Sequence, residues 1–411
     1  MDLMTENKVV PKLRFEEFNN SWEKKKLGDV GKVKMCKRIF SNQTTKEGDI
    51  PFYKIGTFGK KADAFIDIDL YNEFKHKYSY PKVGEILMSA SGTLGRTVVF
   101  DGSPSYYQDS NIVWLANNEE LITNNFLFYV YQIVRYDSEG GTIQRLYNSI
   151  ISNTKFYKPS LPEQQKIASF LSTVDEKLQQ LNKKKELLEE YKKGVMQKIF
   201  SQELRFKDDN GSSYPDWEEK KLGEIGEFKT SSVDKLSKED EKMVSLVNYM
   251  NVYNHQNITN EITKDLMRVS AKEKQLETSD LKKGDILFTP SSETPSDIGH
   301  SIVIFEDLHN TLYSYHLMRF RPTINLDILF SHYFCNIPSV LRQITRFATG
   351  STRFTISVGS FSKIIIQLPS LEEQVKIANF LSSLDSKIDL VSTQIENTKA
   401  FKKGLLQQMF V

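Results

Sequence analysis

The sequence predicts a mixed α+β fold made of two copies of one plan, each an α/β body followed by a long helix. Two observations predict it: a segment of the chain recurs, and each copy of that segment opens a run of apolar residues with helical spacing. Residues 159–172 recur as residues 369–382, an offset of 210 positions, and eleven of the fourteen aligned residues are identical. A repeat of this kind indicates a duplicated structural unit.

The chain has 411 residues, of which 39% are hydrophobic and 26% charged. This balance is typical of a folded protein with more than one domain. We expect two bodies, at residues 1–158 and 206–368, and two helical tails, at residues 159–205 and 369–411. The bodies have diverged while the tails have stayed alike, which suggests one scaffold that presents two different surfaces.

The bodies are predicted to mix strands and helices. Short runs rich in β-branched residues alternate with turn signals such as Asp101-Gly102 and Lys283-Gly284. Predicted strands lie at 97–100, 112–115, 301–305 and 363–366, and predicted helices at 126–136 and 328–347. The segment 91–96 resembles an anion-binding nest, but it lies between β-rich runs and lacks a following lysine, so a plain turn is favoured.

Each tail is predicted to be a coiled-coil helix, the first over about residues 163–200. Apolar residues recur there at a 3-4 spacing for about five heptads, the pattern by which two helices bury each other. The alternative is that each stripe packs only on its own body. The residues predicted to pair the helices are Ile167, Leu171, Val174, Leu178, Leu181 and Leu188 in the first tail and Ile377, Leu381, Leu384, Ile388, Val391 and Ile395 in the second.

Catalytic and metal-binding motifs are missing from the sequence. It has no phosphate-binding loop, zinc-protease helix or nucleophile elbow, and its six histidines lack ligand spacing. Cys36 and Cys335 lie too far apart in sequence to indicate a disulfide framework or a zinc site. There is no long apolar span and no signal-peptide pattern, so we expect a cytoplasmic protein. A net charge of +2 says little about partners.

Acidic residues are unevenly distributed. No Asp or Glu occurs between Glu139 and Glu163 or between Asp327 and Glu372, although several arginines and lysines do. A third acid-free stretch, residues 86–100, contains Arg96 among serines and threonines. Such stretches favour contacts to phosphate oxygens. Buried strands that exclude charge are the alternative, which accounts for the missing acids better than for the arginines.

The repeated motifs resemble those of the specificity subunit of Type I restriction-modification systems. The pattern Leu-Pro-x-Leu-x-Glu-Gln-x-Lys-Ile-Ala-x-Phe-Leu with a downstream Asp is intact over residues 368–385. It recurs over 158–175, where Lys158-Pro159 replaces the first Leu-Pro. Trp-Glu-x2-Lys-Leu-Gly at 22–28 and 217–223 and Gly-Glu/Asp-Ile-Leu at 84–87 and 284–287 belong to the same resemblance, which covers essentially the whole chain.

The resemblance implies two target-recognition domains, each reading one half of a split double-stranded DNA target. It implies that the two helices pair antiparallel, set the gap between the half-sites and relate the domains by a pseudo-twofold repeat. The chain would be a non-catalytic adaptor for two methyltransferase subunits and, through them, for restriction-translocase subunits. S-adenosylmethionine, ATP and magnesium would belong to those partners, and no cofactor or metal is expected in this chain. Val411 directly follows the second helix, with no extension that would contact the first domain. How the subunit would close into a ring therefore stays open.

Within this interpretation, polar loop residues would contact base edges and basic residues the DNA backbone. The candidates are chosen by residue type and loop context. For Tyr53 and Tyr249 the alternative role is core packing, and for Arg319 it is a surface ion pair. The candidate DNA-binding residues are Lys37, Arg38, Tyr53, Lys54, Arg96, Gln108, Asn111 and Arg145 in the first body and Tyr249, Asn251, Ser291, Ser292, His316, Arg319, Arg346 and Arg353 in the second.

Two other functions are left open by the residues alone. A freestanding sequence-specific repressor would bind DNA without partners, and a neighbouring methyltransferase gene would argue against it. A coiled-coil scaffold without nucleic acid would show no sequence-dependent DNA binding.

Overall fold

A computed structural model describes residues 9–136 and 145–411. Its internal contacts divide the chain into two units. The first unit comprises residues 1–182 and 393–411, and the second comprises residues 183–392. Among the residues described, no helix is long and apolar enough to cross a membrane.

The first unit combines small sheets with short helices. Its main sheet has the order β2-β8-β5-β6 and is antiparallel, and a second sheet, β4-β3-β7, contains one parallel pair, β3 with β7. β1 pairs with β9. The described elements are β1 Glu23–Lys26, α1 Leu27–Val30, β2 Lys32–Met35, β3 Ile50–Tyr53, β4 Phe65–Ile66, α2 Ile68–Lys77, β5 Ile86–Ser89, β6 Thr97–Val99, β7 Tyr106–Tyr107, β8 Ile112–Ala116, α3 Asn124–Ile133, α4 Asn148–Asn153, β9 Lys155–Lys158 and α5 Leu161–Phe200, whose second half belongs to the other unit.

The second unit repeats this layout. The sheet β11-β18-β14-β16 corresponds to the main sheet, and β13-β12-β17 again contains one parallel pair, β12 with β17. β10 pairs with β20, and β15 pairs with β19. The described elements are β10 Glu218–Lys221, α6 Leu222–Ile225, β11 Gly226–Thr230, β12 Lys242–Val247, α7 Tyr249–Tyr253, β13 Met267–Ala271, α8 Glu273–Thr278, β14 Ile286–Phe288, β15 Ser291–Ser292, β16 Ser301–Val303, β17 Thr311–Tyr313, β18 Met318–Pro322, α9 Ile328–Phe334, α10 Pro338–Phe347, β19 Phe354–Thr355, α11 Val358–Phe361, β20 Ile365–Leu368 and α12 Leu371–Met409, whose last part belongs to the first unit.

The glycine of the repeated Trp-Glu-x2-Lys-Leu-Gly motif permits a close approach between two short helices. A Cβ atom on Gly28 would lie 3.0 Å from the Ser152 carbonyl oxygen, and one on Gly223 would lie 2.8 Å from Cβ of Ser362. Both distances are shorter than ordinary van der Waals contact. The glycine therefore lets α1 pack on α4 in the first unit, and it occupies the matching place on α6 in the second.

The stripe of predicted helix-pairing residues is largely enclosed. Leu178, Leu188 and Ile388 are half-buried, and the other nine of the twelve are buried. In the first unit, the start of α5 and the end of α12 share one apolar cluster, which includes Leu171 and Leu405. In the second unit, the end of α5 and the start of α12 share another, which includes Ile199 and Leu381.

The helix stripe also packs on the bodies, which was the alternative considered from the sequence. The cluster that holds Leu171 contains Trp22 and Phe126, and the cluster that holds Leu381 contains Trp217. At its ends, the stripe of each long helix therefore shares apolar clusters both with a body and with the other long helix. Each body packs against the start of one long helix and the end of the other.

The single helix predicted at 328–347 is wrong. The structure forms two helices, α9 and α10, with residues 335–337 between them. Pro338 is the cause, because a proline has no backbone N–H to donate and disfavours helical geometry in the residue before it. Pro338 instead opens α10, a position that suits its fixed φ angle. The predicted strand at 363–366 is β20, shifted by two residues.

Candidate nucleic-acid interface

In the first unit, the candidate residues gather around one tight loop, residues 108–111, between β7 and β8. The backbone N–H of Gln108 donates to the Tyr53 carbonyl at 2.9 Å, and its side-chain oxygen accepts from the N–H of Ile55 at 2.9 Å. The side-chain oxygen of Asn111 accepts from the Ser91 hydroxyl at 2.9 Å. Gln108 and Asn111, which are both predicted to contact DNA, therefore also hold neighbouring loops in place.

Five basic candidates and one aromatic candidate lie on or near the segments around this loop. Arg38 is exposed and forms an ion pair with Asp109 at 3.0 Å, and the neighbouring Lys37 is exposed as well. Arg145 donates to the carbonyl of Ser110 at 3.2 Å. The ring of Tyr53 stacks on Tyr107, with ring centroids 5.7 Å apart, and is half-buried.

The last two basic candidates, Lys54 and Arg96, lie on the adjoining loops. Lys54 forms an ion pair with Asp63 at 2.8 Å. Arg96 donates a hydrogen bond to the Phe58 carbonyl at 3.0 Å.

The segment 91–96 is a turn, as predicted. It joins β5 to β6, and Gly92 and Gly95 adopt positive φ angles of 67° and 74°. Glycine is the residue that reaches this backbone region without steric cost. Arg96 at the end of the turn is half-buried and braced by Phe58 and Thr93.

In the second unit, the corresponding turn is four residues longer and of different composition. The N–H of Ser89 donates to the carbonyl of Arg96, and the N–H of Thr289 donates in the same way to the carbonyl of His300. His300 therefore takes the place of Arg96, and the intervening residues include Glu293 and Asp297. The scaffold on each side is alike while the loop differs, which is how two related bodies present different surfaces.

Candidates of the second unit also gather at this loop. Tyr249 donates its hydroxyl to the carbonyl of Ser291 at 2.9 Å, and Arg353 donates to the Ser291 hydroxyl at 3.1 Å. Burial and the positive charges of Lys235 and Arg353 lower the pKa of His316, which is half-exposed. Tyr249, Ser291, Arg353 and His316 thus belong to one neighbourhood.

The remaining candidates of the second unit have more local roles. Asn251 lies in the first turn of α7, where its side chain accepts from the N–H of Asn248 at 2.8 Å. Ser292 is 7% exposed and accepts from the N–H of Thr294. Arg346 is exposed in the last turn of α10.

Arg319 differs from the other candidates because it lies inside the protein. It is 5% exposed and donates to Asp280 through the side-chain oxygen at 2.7 Å and the carbonyl at 2.6 Å. Burial alone would raise the pKa of Asp280, but the hydrogen bond from Arg319 and the charges of Arg321 and Arg319 outweigh it and lower that pKa. As placed, Arg319 joins a buried ion pair rather than the exposed ion pair considered from the sequence.

A histidine pair lies at the second loop, which is the longer turn of the second unit between Thr289 and His300. His300 contacts Asp297 through Nε2 at 2.9 Å and His255 through Nδ1 at 3.2 Å. The hydrogen bond with His300 lowers the pKa of Asp297, which also accepts from the Tyr253 hydroxyl at 3.2 Å. Across the described parts of the chain, no group of three or more His, Cys, Asp or Glu side chains is arranged to hold a metal ion.

The acid-free stretches were interpreted either as DNA-contacting segments or as buried strands that exclude charge, and the structure contains examples of buried and of exposed segments. Ile86–Ser89 is a fully buried strand, as the alternative of charge exclusion predicted. Residues 338–347 instead form a helix with exposed Arg342 and Arg346, and Arg353 is exposed beyond it, so the alternative is wrong there. Part of the first stretch, residues 140–144, lies outside the described residues.

The identical Glu of the two tails is a buried ion-pair partner. Glu163 is 1% exposed and accepts from Arg14 and, at 3.2 Å, from the indole N–H of Trp22. Glu373 is fully buried and accepts in the same way from Arg205 and Trp217. The sequence reasoning missed both arginines, although Leu-Arg-Phe at 13–15 recurs at 204–206 and would have revealed them.

The downstream Asp of the repeated motif also has the same partners in both units. Asp175 accepts from the Tyr129 hydroxyl at 2.9 Å and pairs with Lys402 at 2.6 Å. Asp385 accepts from Tyr333 and pairs with Lys192. Each pair joins the two long helices, since the lysine and the aspartate lie on different ones.

Comparison with known proteins decides the family. The profile described as "Type I restriction modification DNA specificity domain" matches residues 19–190 and 214–399. The chain belongs to this family. The two matches agree with the internal duplication, and the mixed fold with two specificity domains is confirmed.

Specificity subunits of two organisms are among the relatives. A putative type I restriction enzyme specificity subunit of Haemophilus influenzae is 58% identical over 160 residues, which make up 39% of this chain and 41% of that protein. The specificity subunit named MjaX, a putative type I restriction enzyme subunit of Methanocaldococcus jannaschii, is 24% identical over 430 residues, 96% of this chain and 94% of that protein.

Two solved structures share the fold. The Type I system S subunit from M. genitalium aligns over 98% of this chain and 99% of its own length, with 17% identity and a TM-score of 0.55. A chain from a study of complex assembly and conformational transition of the type I system aligns over 94% and 96%, with 16% identity and a TM-score of 0.56. The role of a specificity subunit is DNA sequence recognition, not catalysis.

Proposed function

We propose that this specificity subunit reads a bipartite double-stranded DNA target, with one half-site for each body, 1–158 and 206–368. The observation that carries the proposal is the contrast between the units. The buried contacts of the motif residues are the same in both, whereas the exposed loops that begin at Ser89 and Thr289 differ in length and charge. Polar loops on a fixed scaffold suit the reading of base edges.

The exposed basic candidates are assigned to DNA and the buried ones to support. Arg38, Arg145, Arg346 and Arg353 would meet phosphates or base edges, since each is at least partly exposed. Arg319, closed off against Asp280, would stiffen the sheet below the loops. The exposed candidates that are not arginines would contact DNA in the same way.

The two long helices would form an antiparallel coiled-coil pair that relates the bodies by a pseudo-twofold repeat. The start of one helix shares a cluster with the end of the other in each unit, which supports antiparallel pairing. In this proposal the pair sets the gap between half-sites. Adding one heptad to each helix, about 10 Å, should then lengthen the gap by about three base pairs.

The subunit would recruit two methyltransferase subunits and, through them, restriction subunits. S-adenosylmethionine, ATP and magnesium would act in those partners, and none is assigned to this chain. The identical motif residues of both tails suit two copies of one partner, because equivalent surfaces bind equivalent subunits. The cytoplasmic location expected from the sequence stays a prediction.

Exchange of one body tests the proposal. Residues 1–158 are replaced by the equivalent body of a related specificity subunit, and DNA methylation is mapped in cells that also express the methyltransferase. One half of the methylated target should change while the other half stays the same. A change in both halves would show that recognition is shared between the bodies and would refute one half-site per body.

A further inference from the structure

Arg38 and Asp109 form an ion pair at the centre of the first candidate interface. Nε of Arg38 donates to Oδ2 of Asp109 at 3.0 Å, across a separation of 71 residues. The Arg38 side chain is 60% exposed, whereas that of Asp109 is only 19% exposed. The acid thus lies at the surface of the body and the guanidinium projects beyond it.

Asp109 is held firmly by its neighbours. The N–H of Asn111 donates to the Asp109 carbonyl at 2.6 Å, and Ser110 between them adopts a positive φ of 53°. Arg145 holds the Ser110 carbonyl, and the side chains of Gln108 and Asn111 are bonded to neighbouring loops. Every residue of the loop is therefore anchored.

The backbone beside Arg38 is fixed as well. Cys36 is 2% exposed, and the N–H of Lys37 donates to the Tyr106 hydroxyl at 3.1 Å. A long side chain on a fixed backbone still samples many rotamers. The bond from Nε to Asp109 selects among them.

The geometry leaves the outer edge of the guanidinium open. Asp109 bonds to Nε, and within the described residues Nη1 and Nη2 of Arg38 make no hydrogen bond. Arg14 and Arg321 differ from Arg38, because each binds a carboxylate through both Nε and Nη2, Arg14 that of Glu163 and Arg321 that of Asp285. Two parallel N–H donors are what the O6 and N7 acceptors of guanine require in the major groove.

The carboxylate also argues against a phosphate as the partner of Arg38. A negative charge 3.0 Å from Nε would repel a phosphate group. The edge of guanine carries no net charge, so the carboxylate does not exclude it. A base edge therefore fits the site better than the DNA backbone does.

We propose that Asp109 is a positioning residue that holds Arg38 for bidentate contact with one guanine in the half-site read by the first body. The inference rests on the proposed function and names the chemistry of one of its contacts. A surface ion pair contributes little to stability. The pair is therefore assigned to recognition rather than to folding.

The test uses the full chain assembled with its methyltransferase subunits, with methylation rates measured on the wild-type target and on targets changed at single base pairs. Arg38→Ala and Arg38→Lys should lower discrimination at one G·C pair of the first half-site by about tenfold or more, since a bidentate contact is lost. Asp109→Ala should relax the same position by a smaller factor, and Asp109→Asn, which keeps an acceptor for Nε, by less again.

The double variant separates positioning from a structural role. In Arg38→Ala, the further change Asp109→Ala should have no added effect on discrimination, because the acid acts only through the arginine. Glu73→Gln, which removes one partner of the exposed Glu73–Lys77 pair, is the control and should leave the target unchanged. Thermal unfolding of each variant should match that of the wild type.

Several results would overturn the inference. They are unchanged discrimination in Arg38→Ala, equal loss on all sequences with a reduced salt slope, or additive effects in the double variant. The second result would identify a phosphate contact. Failure of the proposed function is distinct from all three, because the wild-type complex itself would then methylate no bipartite target.

Discussion

Glu163 accepts two hydrogen bonds from Arg14, from Nε and from Nη2, each at 2.8 Å. The carboxylate is nearly inaccessible, and the arginine comes from a segment 149 residues earlier in the chain. The same segment reaches the end of the second long helix, where the N–H of Leu13 donates to the carbonyl of Gln408 at 2.9 Å. This contact ties the first body to the end of the last helix.

Removing Arg14 should destabilise the first unit strongly. In Arg14→Ala, Glu163 would keep only the indole N–H of Trp22, and an uncompensated buried charge costs about 3–5 kcal/mol. Chemical denaturation measures the loss. Lys77→Ala, which breaks an exposed pair, should cost less than about 1 kcal/mol. Adding Glu163→Gln to Arg14→Ala should restore part of the stability; equal losses in Arg14→Ala and Lys77→Ala would contradict the prediction.

Two leucines of α12 should differ sharply in their contribution to stability. Leu381 is fully buried and Leu390 is 59% exposed. We expect Leu381→Ala to lower the free energy of unfolding by about 2–5 kcal/mol and Leu390→Ala to change it by less than about 0.5 kcal/mol. Denaturation midpoints of the two variants decide it. A large effect of Leu390→Ala would show that the outer face of the helix is covered as well.

The stability of the second unit should fall in mild acid through His332. Burial and the positive charge of Lys192, with a smaller contribution from His255, lower the pKa of His332 from its ordinary 6.5, while Asp385 opposes them. The folded state therefore binds the proton less well than the unfolded state. This stability is complete above about pH 6.5 and is lost as the pH falls through the lowered value.

A substitution isolates this contribution. His332→Gln should show a shallower loss of unfolding free energy between pH 7 and pH 5 than the wild type, measured by denaturation at each pH. Curves that stay parallel for the two proteins would mean that other groups carry the acid sensitivity.

Arg353 should act on DNA affinity through charge. It is exposed beside the second loop and donates to Ser291. If it meets a phosphate, Arg353→Ala should weaken binding of all sequences alike and reduce the salt slope by about one. Lys283→Ala is the control. It also removes one positive charge, but Lys283 precedes β14, whereas the second loop follows that strand. A change of base preference at one position instead would make Arg353 a base contact of about 1–3 kcal/mol.

Much of the scaffold was predictable because it is repeated and periodic. The helix expected from about residue 163 begins at Leu161, and the 3-4 stripe is enclosed as its spacing required. The break before Pro338 was missed because the apolar pattern continues across it, while the backbone constraint of one proline decides the outcome.

The candidate interface was only partly predictable. Residue type and loop context selected Arg38, but nothing local pairs it with Asp109, because the contact depends on where two strands bring distant loops. Arg319 shows the opposite error: its type suggested a surface role, and its place on β18, facing Asp280, buries it. Side-chain direction on a strand is fixed by the sheet, which the sequence alone did not determine.

In the function proposed above, this chain directs methylation to a bipartite DNA target. The most direct test maps methylated bases across the genome of cells that express the methyltransferase subunits with and without this chain. We predict one target of two short half-sites separated by a gap of fixed length, methylated only when the chain is present. Methylation that does not depend on the chain, or that follows no gapped target, would contradict the account.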